Sequence, residues 1–111
     1  MDGMCDDFTN QESEVGELEI LSIFNDISRE LDRAVSKFPE YPTDPLHALA
    51  VLGEEYGELN KAVLQLTYEP HKTSKVEVRS EAVQTAAMAI RFLISLDRFE
   101  YKQSEQHNQK I

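Results

Sequence analysis

The chain of 111 residues lacks the features that mark several classes of protein. Its single cysteine, Cys5, excludes an intrachain disulfide, so nothing indicates an oxidising compartment, and we interpret the thiol as an incidental surface group. Strand-type alternation, a Gly-rich loop, an internal repeat and the Cys/His spacing of a metal site are all missing. No segment is long and apolar enough for a membrane span, and the first residues do not form a secretory signal. We therefore expect a cytoplasmic protein with no membrane partner.

Basic residues are also scarce. The chain has 11 Lys and Arg against 21 Asp and Glu, which gives a formal net charge of -10. Such a field repels a nucleic-acid backbone, so we expect no nucleic-acid partner. An acidic protein can still handle small phosphorylated molecules if a divalent cation lies between its carboxylates and the phosphates.

The polar composition of both ends divides the chain into three parts. Residues 1–14 are acidic and polar with little to bury, which predicts a mobile arm. Residues 15–101 carry the apolar periodicity of one folded domain. Residues 102–111 are polar and predict a frayed tail.

Two helices are predicted in the first half of the domain. From Val15 to Phe38, apolar residues recur every three or four positions, as in an amphipathic helix. The prolines of PEYPTDP end this helix. Asp44 followed by Pro45 is a favourable N-cap and first-turn pair, so a second helix is expected from about Pro45 to Leu66.

A third helix follows the polar loop TYEPHKTSK. Ser74 and Glu77 have the spacing of a capping box, which predicts a helix from about Lys75 to near Tyr101. Residues 82–94 are apolar or small nearly all round and carry one charge, Arg91. A three-helix monomer cannot cover such a segment on every side. We therefore predict an all-α, antiparallel helical bundle that is completed by homo-oligomerisation.

Four oxygen-bearing side chains do not fit this apolar pattern. Glu55 falls near the middle of the apolar arc of the second helix, and Glu58 lies at its edge one turn on. Glu81 and Gln84 lie on one face where the third helix becomes apolar. Inward carboxylates repel one another unless a cation lies between them, so this set predicts a Mg²⁺ or Mn²⁺ site. Glu54 and Glu77 are not interpreted as ligands, because Glu54 is flanked by exposed positions and Glu77 completes a helix cap.

The sequences EEYGEL and EAVQ resemble the MazG-like all-α nucleoside triphosphate pyrophosphohydrolases over roughly residues 45–98. That family carries Glu-x-x-Glu followed after a loop by Glu-x-x-Asp, and these positions fall on Glu55, Glu58, Glu81 and Gln84. The resemblance implies Mg²⁺-dependent cleavage between the α- and β-phosphates of a nucleoside triphosphate, within a homodimer or a dimer of dimers. Gln84 departs from the pattern, because an amide keeps one carbonyl oxygen but lacks the negative charge of aspartate.

The resemblance also implies roles for other residues. A carboxylate must take a proton from the attacking water, and the candidates are Glu54 and Glu58. Lys61 and Arg91 are the candidate phosphate ligands. For Arg91, an ion pair with an acidic residue of another helix is an equal alternative. The basic residues around the loop, His71, Lys72, Lys75 and Arg79, could receive a pyrophosphate, but solvation is the preferred interpretation.

Two other functions remain open. Gln84 is compatible with a non-catalytic helical dimerisation module that kept the bundle and lost the chemistry. The other open function is that of a relative that acts on a different phosphoanhydride, such as phosphoribosyl-ATP. His47 is interpreted as a hydrogen-bond partner of a ligand rather than a ligand, and no base preference follows from Tyr56, Met88 or Phe92.

Overall fold

A computed structural model describes the backbone of residues 2–102 and the side chains from Gly16 onward. It contains three α-helices, α1 (Asp2–Lys37), α2 (Pro45–Tyr68) and α3 (Lys75–Ile94), and a single 3-10 turn, Pro70–Lys72, between α2 and α3. Residues 2–102 contain no strand, so the prediction of an all-α chain is confirmed. The predicted C-terminal tail lies outside the described residues beyond Lys102.

The caps read from the sequence define where α2 and α3 begin. The Asp44 carboxylate accepts a hydrogen bond from the Leu46 backbone N–H at 3.0 Å, with Pro45 in the first turn. The Ser74 hydroxyl accepts one from the Glu77 N–H at 3.2 Å. Each bond satisfies a backbone donor that the helix leaves without a partner, and both predicted starts are confirmed.

Two other boundaries differ from the prediction. α1 begins at Asp2 rather than Val15, so the backbone of the predicted arm is helical, while its mobility stays a prediction. α3 ends at Ile94, and the predicted end near Tyr101 is wrong. The chain turns at residues 95–98 and brings Phe99 back against Phe92, with ring centroids 5.2 Å apart. Phe99 continues the apolar spacing of α3, which is why the pattern predicted a longer helix.

α3 packs against both α1 and α2 and lies between them. The buried apolar residues are few and mostly small: Ala34, Ala48, Ala62, Ala87 and Phe99. Alanines let helix backbones approach closely, but they bury little apolar area. The Cα radius of gyration is 19.2 Å, against about 13 Å for a compact domain of this length. One copy of the chain therefore has a small core.

Large apolar side chains cover much of the surface instead. Side chains that are at least half exposed include Leu18, Leu21, Phe24, Leu46, Tyr68, Val76, Leu93 and Ile94. Residues 83–90 of α3 are buried or half-buried, whereas both ends of this helix are largely exposed. None of the helices within residues 2–102 combines the length and the apolarity that crossing a membrane requires.

Candidate functional site

A hydrogen bond sets the relative level of the two carboxylates that the sequence analysis placed inward. Glu55 is half-buried in the middle of α2, and Glu81 is half-buried in the second turn of α3. The Thr85 hydroxyl lies 3.2 Å from the Glu55 carbonyl oxygen and 2.8 Å from the Glu81 carbonyl oxygen. Because Thr85 is one turn beyond Glu81, this contact holds Glu55 and Glu81 at neighbouring levels across the α2–α3 interface.

Negative charge accumulates around Glu55. The pKa of its carboxyl group is raised, first by burial and then by the negative charges of Glu81, Glu30, Glu58 and Glu54, in that order. A carboxylate that is shielded from water and surrounded by other carboxylates is destabilised in its charged form. The charges around Glu55 therefore favour a positively charged group close to it.

The predicted metal ligands differ in their placement. Glu58 is exposed, and Gln84 is half-buried with its amide nitrogen donating to the Ser80 hydroxyl at 3.3 Å. In the part of the chain that the structure describes, no three His, Cys, Asp or Glu side chains are arranged so that they could hold a metal ion. The donor chemistry of the region fits a hard divalent cation, whereas the side chains do not converge on one point.

A cavity of about 310 Å³ connects one side of Glu55 to the loop after α1. Its lining includes Glu54, Glu55, Met88, Arg91 and Tyr41. The predicted catalytic carboxylate Glu54 therefore lies in the same cavity as Arg91. The rest of the lining consists of the apolar residues Phe38, Pro42 and Val51 and a third carboxylate, Glu40.

The two predicted phosphate ligands are separated. Lys61 lies in a different groove, which Gly57, Leu64 and Tyr68 also line. Arg91 is only 7% exposed, and its guanidinium donates to the carbonyl oxygens of Ala34, at 3.4 Å, and Phe38. It also lies 4.8 Å from the centroid of the Tyr41 ring. The partners of Arg91 are thus backbone carbonyls at the end of α1, rather than the carboxylate considered from the sequence.

Sequence reasoning missed two residues of this region, Glu30 and Tyr41. Glu30 of α1 raises the pKa of Glu55 and forms an ion pair with Arg33. A signal was present, because Glu30 lies one turn before the buried Ala34 and only 17% of its side chain is exposed. Tyr41 has a buried hydroxyl without a hydrogen-bond partner among the described residues. Burial raises the pKa of this phenol, and the charge of Arg91 partly opposes that effect.

Comparisons of the chain with protein-family models, curated proteins and solved structures found no match. The resemblance carried by EEYGEL and EAVQ therefore rests on the residues of these two segments alone.

Proposed function

We propose that the chain is a divalent-cation-dependent nucleotide pyrophosphohydrolase, which cleaves a nucleoside or deoxynucleoside triphosphate to the monophosphate and pyrophosphate. The observation that supports this function is the environment of Glu55. A half-buried carboxylate among four others, without a dedicated cationic partner in α2 or α3, is costly in a metal-free protein. This energetic cost is expected at a site that binds Mg²⁺, because the bound cation compensates the negative charges.

In this proposal Glu55, Glu58, Glu81 and Gln84 hold Mg²⁺ or Mn²⁺. When bound, the cation would neutralise charge on the phosphates and lower the pKa of a bound water. Glu58 is exposed and needs only a side-chain rotation to approach from α2. Gln84 would turn its carbonyl oxygen towards the site, since its nitrogen already donates to Ser80.

The remaining steps belong to the residues of the cavity. Glu54 or Glu58 takes the proton of the attacking water, because both lie on the side of α2 that carries Glu55. Arg91 holds a phosphate oxygen with guanidinium donors that its two carbonyl bonds leave unused. Lys61 acts on the substrate only if a second copy of the chain brings its groove to the cavity.

Self-association is part of the proposal. The core of one copy consists of four alanines and Phe99, while large apolar side chains of all three helices remain exposed. A protein of this length gains too little from such a core, since alanine burial contributes little hydrophobic free energy. We propose a homodimer or a dimer of dimers that covers these side chains.

The alternative is a non-catalytic helical dimerisation module of the same fold. Gln84 favours it, because this side chain is engaged with Ser80 and supplies no negative charge. The absence of a converged ligand set among the described residues favours it as well. Exposed apolar side chains are common to both proposals and do not separate them.

A pyrophosphate-release assay separates the two functions. Purified protein is screened against the common ribo- and deoxynucleoside triphosphates and phosphoribosyl-ATP, with and without Mg²⁺. We expect release from at least one substrate with Mg²⁺ only, and its loss in Glu55→Gln. Glu100→Gln removes the same charge from an exposed position and should retain activity. If a correctly folded oligomer releases pyrophosphate from none of the substrates, the hydrolase proposal is overturned and the dimerisation module is favoured.

A further inference from the structure

A second cleft lies between α1 and α3 and shares no lining residue with the cavity of Glu54 and Arg91, although its Glu30 also acts on Glu55. Its volume is about 340 Å³. The charged and polar side chains that line it are Asp26, Arg29, Glu30, Arg33, Arg79 and Ser80. The whole chain has five arginines, and three of them line this cleft. In a protein with a net charge of -10, this concentration of guanidinium groups runs against the overall charge.

Ion pairs hold these guanidinium groups in place. Asp26 accepts from Arg79 at 2.6 Å through one oxygen and from Arg29 at 3.3 Å through the other. Arg33 forms a forked pair with Glu30, with its Nε 3.0 Å from one carboxylate oxygen. Because the Arg79–Asp26 pair joins α3 to α1, the arginines of both helices face one another across the cleft.

These ion pairs neither neutralise all the positive charge of the cleft nor use all of its guanidinium N–H donors. Three guanidinium groups face two carboxylates, so the cleft has a surplus of one positive charge. Each guanidinium has five N–H donors, and these bonds use one donor of Arg29, one of Arg79 and two of Arg33.

The spacing of the donors indicates the size of the ligand. Arg29 and Arg33 are one helical turn apart, about 5–6 Å between their Cβ atoms, and Arg79 reaches in from the opposite wall. Forked guanidinium groups at this separation match two adjacent tetrahedral oxyanions better than one. We propose that the α1–α3 cleft binds a small polyphosphate anion of the class of inorganic pyrophosphate. This binding does not depend on the reaction proposed above, because it needs neither a metal ion nor Glu55.

Calorimetric titration of the full-length, metal-free protein tests the proposal. We expect inorganic pyrophosphate to bind at low ionic strength, and inorganic phosphate to bind at least about tenfold more weakly, because it engages fewer charge-assisted hydrogen bonds. Added salt should weaken binding, since the arginine side chains are 48–72% exposed. Arg29→Gln and Arg79→Gln should each weaken it about tenfold. Arg98→Gln, the same change at an exposed position outside the cleft, should leave it unchanged.

Two further variants separate this proposal from its alternatives. Asp26→Asn keeps one of the two acceptor oxygens but removes a competing negative charge, so pyrophosphate should bind several-fold more tightly. Glu55→Gln should keep pyrophosphate binding even though it abolishes hydrolysis, so the two proposals can fail independently. Thermal melts show whether Arg79→Gln remains folded, and Arg29→Gln loses only a contact within α1. The proposal is overturned if pyrophosphate does not bind, or if Arg98→Gln weakens binding as much as Arg79→Gln.

Discussion

The hydroxyl of Thr85 in α3 lies 3.2 Å from the backbone carbonyl oxygen of Glu55 in α2. The same hydroxyl lies 2.8 Å from the carbonyl oxygen of Glu81, one turn earlier in its own helix. A hydroxyl has one proton, so it donates to these two acceptors in turn or shares the proton between them. This side chain therefore couples the position of one candidate ligand to that of the other.

Thr85→Val should reduce the free energy of unfolding by about 1 kcal/mol, because the valine has the same shape but cannot donate. Urea denaturation measures the change. Thr67→Val is the matched control, since the Thr67 hydroxyl bonds only the Val63 carbonyl of its own helix on an exposed face. The control substitution should reduce the free energy of unfolding by less than about 0.5 kcal/mol. Equal costs would mean that the bond to Glu55 contributes nothing across the interface.

Glu55→Gln should stabilise the metal-free protein at pH 7. The folded pKa of Glu55 is raised above the ordinary value of a glutamate, chiefly by burial and next by Glu81. Between these two values the folded state binds more protons than the unfolded state, so stability falls as pH rises through this window. Glutamine removes this loss of stability. The melting temperature of Glu55→Gln should therefore exceed that of the unmodified protein at pH 7, and the two should converge towards pH 4.

Thermal melts at both pH values, in a chelator, test this prediction. Glu100→Gln should melt like the unmodified protein at either pH, because Glu100 is exposed. If Glu55→Gln instead melts far lower at pH 7, as a core lesion would, Glu55 is paired structurally and the proposed metal site does not exist.

Gln84→Asp should increase the affinity for Mg²⁺, since a hard cation prefers a carboxylate to an amide oxygen. Glu55→Gln makes the opposite change and should weaken binding. Calorimetric Mg²⁺ titration of the two variants measures both effects, with no expected rise in turnover for Gln84→Asp. Unchanged Mg²⁺ binding in both variants would contradict the ligand set.

Arg91→Met should reduce the free energy of unfolding by about 2–4 kcal/mol. It removes hydrogen bonds from a charged donor to the carbonyls of Ala34 and Phe38 at the end of α1. It also removes the contact with the Tyr41 ring. Arg98→Met, at an exposed position, should change stability by less than about 0.5 kcal/mol. Similar small losses in both variants would show that the carbonyl bonds of Arg91 contribute little.

The exposed apolar surface predicts a homo-oligomer at micromolar concentration. Leu93 and Ile94 at the end of α3 are 62% and 50% exposed, and other large apolar side chains of α1 and α2 are exposed to a similar degree. Burial of this area by a second copy would supply hydrophobic free energy that the alanine core does not. Sedimentation velocity measures the mass, and a monomer at these concentrations would contradict the prediction.

The local features of this protein follow from its sequence alone. Asp44 and Ser74 cap α2 and α3 as predicted, because capping depends on a side chain and a backbone donor only two or three residues away. The inward direction of Glu55 and Glu81 was also predictable, since helical periodicity fixes which side chains share a face.

Only the tertiary structure decided which helices meet and what each inward side chain contacts. Glu30 approaches Glu55 and Arg91 reaches the carbonyls at the end of α1 because α3 lies between α1 and α2, an arrangement that no local spacing encodes. The end of α3 shows the same limit. The apolar spacing continues to Phe99, but the gain from packing Phe99 against Phe92, together with the bond from the Glu100 N–H to the Thr43 carbonyl, favours a turn over further helix. Periodicity reports which residues must be buried, and the partners that bury them are set by contacts between residues far apart in the chain.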